Sequence, residues 1–154
     1  MSHIHHALLL LLPLLAQAND ATDIAGVWRT NDDETRQPAA LVEIVANLGI
    51  YSGKVVQILD RNAPTLCSLC TGERHNQPIV GMTILTGLKR MGEKFGGGEI
   101  LDPDSGETYS AQARLIDGGA RLAVRGYIGL SLFGRSQIWE RHPVQPITPR
   151  PARP

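Results

Sequence analysis

The chain has no net charge: 15 Lys and Arg stand against 15 Asp and Glu in 154 residues, and the sequence pI is near 7.0. Without a basic excess, a nucleic-acid partner is excluded. Beyond residue 18 there is no apolar run long enough to cross a bilayer as a helix, so the chain is not expected to span a membrane. Cysteine is scarce, with only Cys67 and Cys70, and neither lies near the N-terminus, where a lipid anchor would need one. Histidine is equally scarce after residue 18, where only His75 and His142 remain. Neither stands beside a nucleophile, so there is no catalytic constellation and an enzyme is not expected. No internal repeat is present.

Motifs that imitate chemistry fail at the decisive position. Gly87 to Gly92 has the spacing of a phosphate loop, but Glu93 stands where the lysine is required. Asp102-x-Asp104-x-Gly106 opens like a calcium loop, yet its glycine comes one position early and Ala113 replaces the bidentate Glu. It reads instead as a hairpin turn, with Glu99 and Glu107 adding to a solvated acidic patch. Thr71 takes the place of the histidine that covalent haem attachment needs. No cofactor is expected.

At the N-terminus, Ala7 to Leu15 reads ALLLLLPLL and leads into Ala16-Gln17-Ala18, an A-x-A cleavage pattern. Residues 1–18 are therefore expected to be a signal peptide cleaved after Ala18, and the product to be periplasmic or secreted. From residue 19 the period is two. Tyr109, Ala111, Ala113 and Leu115 alternate with Ser110, Gln112 and Arg114, one apolar and one wet face. Weaker runs lie at Ile24 to Thr30, Leu41 to Ala46, Ile50 to Leu59, Ile79 to Lys89, Gly98 to Leu101, Arg121 to Ile128 and Arg135 to Arg141. About eight short strands joined by Asp, Pro and Gly turns predict one all-β domain over 19–141, an antiparallel barrel or sandwich. In Ile79 to Lys89, Ile84, Leu85 and Leu88 also fit a helical stripe, but Gly81 and Gly87 with Thr83, Ile84 and Thr86 favour strand. Asp60 to Gln77 reads as a long connection, and 142–154 as a Pro-rich, extended and disordered tail.

Several segments together carry a resemblance. They are Cys67-x-x-Cys70-Thr-Gly-Glu, Pro78 to Lys89, Gly97 to Gly106 with Tyr109, Val124 to Gly129, and Leu132 to Gln137 with Trp139 and Arg141. In this order they resemble the bacterial exported family called domain of unknown function 2147, over Ile24 to Arg141. The resemblance implies a lipocalin-like, calycin-type up-and-down barrel in a cell envelope, with no established activity. Gly26-Val27-Trp28 with Arg141 is also similar to the calycin pattern in which a first-strand Trp closes one barrel end and a late Arg packs across it.

Three readings of the cysteine pair remain. An oxidising compartment favours a disulfide that orders the long loop. A redox pair would want a helix start that Thr71-Gly72-Glu73 does not supply. Zinc held by Cys67, Cys70 and His75 lacks a fourth ligand, so no metal is expected. The candidate binding residues lie on the last hairpin. Arg125, Tyr127, Arg135 and Gln137 are polar positions expected at the lumen or its mouth. Leu130, Leu132 and Phe133 form an apolar tip that is either a lid, a contact surface or part of the core. With arginines at the mouth, the expected ligand is a lipid or other amphipathic small molecule, preferably an anion such as a fatty acid. The alternative is an envelope interaction module with a filled barrel.

Overall fold

The computed structural model describes residues 21–130, 132 and 134–143. The leader expected over 1–18, Phe133 of the apolar tip and 144–154 of the expected tail lie outside these residues. Eight strands run in chain order: β1 (Gly26–Asn31), β2 (Pro38–Asn47), β3 (Ile50–Ile58), β4 (Thr83–Met91), β5 (Lys94–Leu101), β6 (Thr108–Ile116), β7 (Arg121–Tyr127) and β8 (Gly134–Arg141). Each pairs antiparallel with its neighbour, and β8 returns to β1 through Trp28↔Arg141 and Arg29↔Glu140, closing the barrel. Closure leaves no sheet edge to template association. The ion pair of Arg29 with Glu140 spans the seam.

The alternation read in β6 is the alternation observed. Ala111 and Ala113 are buried, whereas Ser110 and Arg114 are exposed. Ile79 to Lys89 resolves as strand from Thr83 onward, because Leu85 and Leu88 pair across to Gly53 and Tyr51 of β3. β5 starts four residues earlier than its sequence signal. Phe95-Gly96-Gly97-Gly98 offers little side chain to read, yet the glycines are required there. A Cβ on Gly98 would lie 2.3 Å from the Thr86 carbonyl and 2.7 Å from the Leu88 amide, so only glycine lets β4 and β5 approach at this bend.

Up-and-down topology sorts the connections to two ends. At one end lie the tight turns after β2, β4 and β6 together with residues 21–25. This end is solid. Trp28 is fully buried and donates from Nε1 to the Ile24 carbonyl at 2.8 Å. The Arg141 guanidinium stacks 4.3 Å from the Trp28 ring centroid and donates to the carbonyls of Gly119, Ala25 and Asp23 at 2.8, 3.2 and 2.7 Å. A second stack, not foreseen from the sequence, repeats the device: Arg90 sits 4.6 Å from the Phe95 centroid and donates to the Thr22 carbonyl at 2.7 Å. Tyr51 meets Phe95 edge to face, with centroids 5.1 Å apart. The two arginines thus strap the segment before β1 across the floor of the barrel.

At the other end lie the longer connections after β1, β3, β5 and β7. The β3–β4 connection is ordered by the Cys67–Cys70 disulfide, both residues being buried. Backbone bonds from Cys67 N to Gln77 O and from Ile79 N to Thr65 O, 2.9 Å each, fold it into a compact flap. A single 3-10 turn, Gly72–Arg74, follows the disulfide. Gly106 seats this flap on the β5–β6 turn: its φ is +74°, and a Cβ there would lie 2.1 Å from the Leu69 carbonyl.

Trp28→Ala removes the floor's central packing and orphans the Arg141 stack. Urea unfolding should show a loss of about 3–5 kcal/mol, the usual cost of truncating a buried aromatic. An unchanged midpoint would mean that the floor does not hold the barrel together.

Candidate functional site

Above the floor the barrel is hollow. A cavity of about 860 Å3 opens at the end that carries the long connections. Its deep part is apolar: Val42, Val55, Val124 and Trp139 line it and are each no more than 3% exposed. These positions follow from the pleat, since Val42 stands opposite Trp28 on β1 and Trp139 opposite Leu122 on β7. Small residues keep the space open. Ala40 and Gly126 line the wall where larger side chains would fill it.

Polar groups enter toward the mouth. Tyr109, Tyr127 and Gln137 line the cavity. The Gln137 Oε1 accepts from Trp139 Nε1 at 3.0 Å, which turns the amide nitrogen away from that bond. Among the described residues neither that nitrogen nor either phenol donates to a protein acceptor. The wall therefore presents three hydrogen-bonding groups to whatever occupies the cavity.

The mouth is acidic. Asp32, Asp33 and Glu34 from the β1–β2 turn and Asp102 and Asp104 from the β5–β6 turn line it. Asp32 and Asp102 are engaged by their own turns. Asp32 Oδ1 accepts from the Thr35 amide and hydroxyl at 2.6 and 2.8 Å and from the Glu34 amide at 3.1 Å, and these bonds hold its carboxyl below the usual aspartate range. Asp102 accepts from the Asp104 amide at 3.0 Å and the Ser105 hydroxyl at 2.8 Å. Asp104 has no such support. Partial withdrawal from water pushes its carboxyl up, and the neighbouring carboxylates of Asp102 and Asp32 push it further.

Of the residues singled out from the last hairpin, Tyr127, Arg135 and Gln137 line the cavity. Arg135 does so as half of an ion pair, donating to Asp33 Oδ2 at 3.1 Å. Arg125 is not part of the lining. It shares the outer face of β7 with Arg121 and donates to Ser136 Oγ at 2.9 Å and the Leu132 carbonyl at 3.2 Å, so it anchors the β7–β8 connection from outside. Leu130 and Leu132 are 70% and 78% exposed rather than folded into the core. Ile128, at 70% exposed, joins them and also reaches the cavity mouth. The acidic mouth was only partly visible in the sequence. Asp102 and Asp104 read as a turn, and nothing linked them to Asp32, seventy residues away in the chain.

The pair Cys67 and Cys70 is a disulfide, and among the described residues no group of three or more His, Cys, Asp or Glu is placed to hold a metal ion. No helix among them is long and apolar enough to cross a membrane.

Residues 26–141 match the family described as "Uncharacterized protein conserved in bacteria (DUF2147)". The chain belongs to this family. Among solved structures it is similar to protein HP1028 of Helicobacter pylori, described as belonging to the lipocalin family, with a TM-score of 0.70 at 18% identity. The likeness covers 79% of this chain and 84% of that one, and establishes a lipocalin-like fold. No curated protein matches the chain. The family is described as uncharacterised, and a shared fold does not by itself assign a function.

Because the raised Asp104 carboxyl favours the protonated form in the folded state, its ionisation destabilises the fold as pH rises above the ordinary aspartate pKa of about 3.9. Asp104→Asn should therefore melt above the parent at pH 7, and the difference should vanish at pH values below that pKa, where both side chains are neutral. Thermal melts across this range check it; a variant less stable at neutral pH would contradict the assignment.

Proposed function

We propose that this DUF2147 protein is an exported, non-enzymatic binder of one small hydrophobic or amphipathic molecule, held inside the barrel. The cavity carries this reading. Its volume lies in the range that encloses a single small ligand, and eight-stranded barrels are wide enough for one. Burying an alkyl chain against Val42, Val55, Val124 and Trp139 gains about 25 cal/mol per Å2 of apolar surface, and those groups leave no polar atom to desolvate. Tyr127 and Gln137, together with Tyr109, supply hydrogen-bonding groups toward the mouth. Arg135 holds Asp33 at the mouth. Ile128, Leu130 and Leu132 form an exposed apolar tip beside the entrance, which suits contact with the ligand's protruding end or with a delivering surface.

Export rests on the leader read over residues 1–18 and is supported by the disulfide, since such bonds persist in oxidising compartments. In that reading the chain is cut after Ala18 and works in the periplasm or outside the cell. A role as an interaction module has one observation in its favour, the exposure of Ile128, Leu130 and Leu132. That role does not account for an open apolar interior, which a barrel serving only as a scaffold would have filled.

The neutral fluorophore N-phenyl-1-naphthylamine, which brightens in apolar surroundings, tests the reading. It should bind with one-to-one stoichiometry. Ala40→Trp projects an indole into the cavity and should weaken binding by about tenfold, or about 1.4 kcal/mol, with the melting temperature held within a few degrees. Binding that ignores this substitution, or no binding at all, would overturn the proposal.

A further inference from the structure

The same cavity carries information about the charge of its occupant. We infer that the ligand's polar end is cationic, an ammonium-type group on an apolar body, and that Glu34 and Asp104 at the mouth select for it. This inference rests on the cavity-binding reading and extends it.

Five carboxylates line the mouth, and among the described residues that line the cavity Arg135 is the one basic side chain. Its charge is already engaged by Asp33. Arg125, the other arginine expected to meet an anion, bonds on the outer face instead. Arg36 and Arg61 lie on the same connections without lining the cavity. A carboxylate or phosphate head would therefore come to rest among like charges, with no unpaired guanidinium among the lining residues to receive it.

The five acids are not equivalent. Asp32 and Asp102 are used as acceptors by their own turns, and Asp33 is paired. Glu34 and Asp104 remain, and among the described residues no hydrogen bond reaches either carboxylate. Like charges gathered around one opening raise the local potential, so a cation entering there is attracted and an anion is repelled. The Asp104 carboxyl, pushed up first by partial burial, is pushed further by the carboxylates of Asp102 and Asp32, and a bound cation would relieve that repulsion. A compact metal ion is a poor match, because among the described residues no three acidic groups are placed to share one. A diffuse ammonium needs no inner shell of ligands and can sit among spaced carboxylates while its tail occupies the apolar depth.

This assigns a direction to the bound molecule. The apolar end lies against Val42 and Trp139, any carbonyl or hydroxyl meets Tyr109, Tyr127 and Gln137, and the charged end lies at the mouth between the two turns. It also reverses the fatty-acid preference that the arginines suggested in the sequence.

The test compares two amphiphiles of equal chain length, dodecyltrimethylammonium and dodecanoate, each below its micelle concentration, as competitors for bound N-phenyl-1-naphthylamine at pH 7. The ammonium should displace the fluorophore at about tenfold lower concentration, and Glu34→Gln with Asp104→Asn should shrink that preference to about threefold or less. Neither side chain bonds to the protein, so the variant is expected to fold; Glu34→Gln alone provides a second, milder reading in the same direction. Dodecanoate competing as well as or better than the ammonium, or a preference unchanged in the variants, would overturn the charge assignment while leaving cavity binding intact. Failure of the fluorophore itself to bind would remove both.

Discussion

The stack of Arg141 on Trp28 is the constraint from which the remaining architecture follows. It joins the last strand to the first at the seam, and its fork of donors gathers carbonyls from the β6–β7 turn and from the segment preceding β1. A guanidinium suits this place because it remains charged, lies flat on an indole and satisfies several acceptors at fixed angles. Lysine would offer a point charge and no face. The Arg90 and Phe95 stack adds a second tie to the same segment, so one end of the barrel is closed by side chains and backbone together.

Closing one end so firmly releases the other from structural duty. The bulky residues, Trp28, Phe95, Tyr51 and Ile24, are concentrated at the floor. Toward the mouth the inward positions shrink to Ala40 and Gly126 or become polar at Gln137 and Arg135. The mouth is shaped instead by its connections, of which the disulfide-bonded flap is the longest. The solid floor and the open cavity thus lie at opposite ends of one small sheet, and a side chain at the mouth can change with little effect on the fold.

Much of the barrel was legible because period-two alternation and turn chemistry are local signals. Tyr109 to Leu115 revealed its buried face directly, and Gly26-Val27-Trp28 with Arg141 marked the floor through family resemblance. What escaped notice depended on proximity rather than pattern. Phe95 to Gly98 looked weak as strand because the glycines serve a close backbone crossing with Thr86 and Leu88, which no propensity encodes. Arg90 carries no local signal for its stack on Phe95, five residues away across the β4–β5 turn. Arg125 and Arg135 looked alike, yet the pleat turns Arg135 inward and Arg125 outward, and a one-residue register difference decides which can meet a ligand. The acidic mouth is assembled from two turns that are distant in the chain. Its sign emerges only when Asp32 to Glu34 and Asp102 to Asp104 are seen across the same opening.

The central claim is that the interior of this barrel, rather than its surface, receives the ligand. The most direct measurement is an NMR titration of methyl-labelled protein with N-phenyl-1-naphthylamine, reading intermolecular NOEs. The account requires NOEs from the probe to the methyls of Val42, Val55 and Val124, with none to Ile24 beneath the floor. NOEs confined to Leu130 and Leu132, or an absence of any to the interior valines at saturation, would contradict it and make the exposed tip the working surface of the protein.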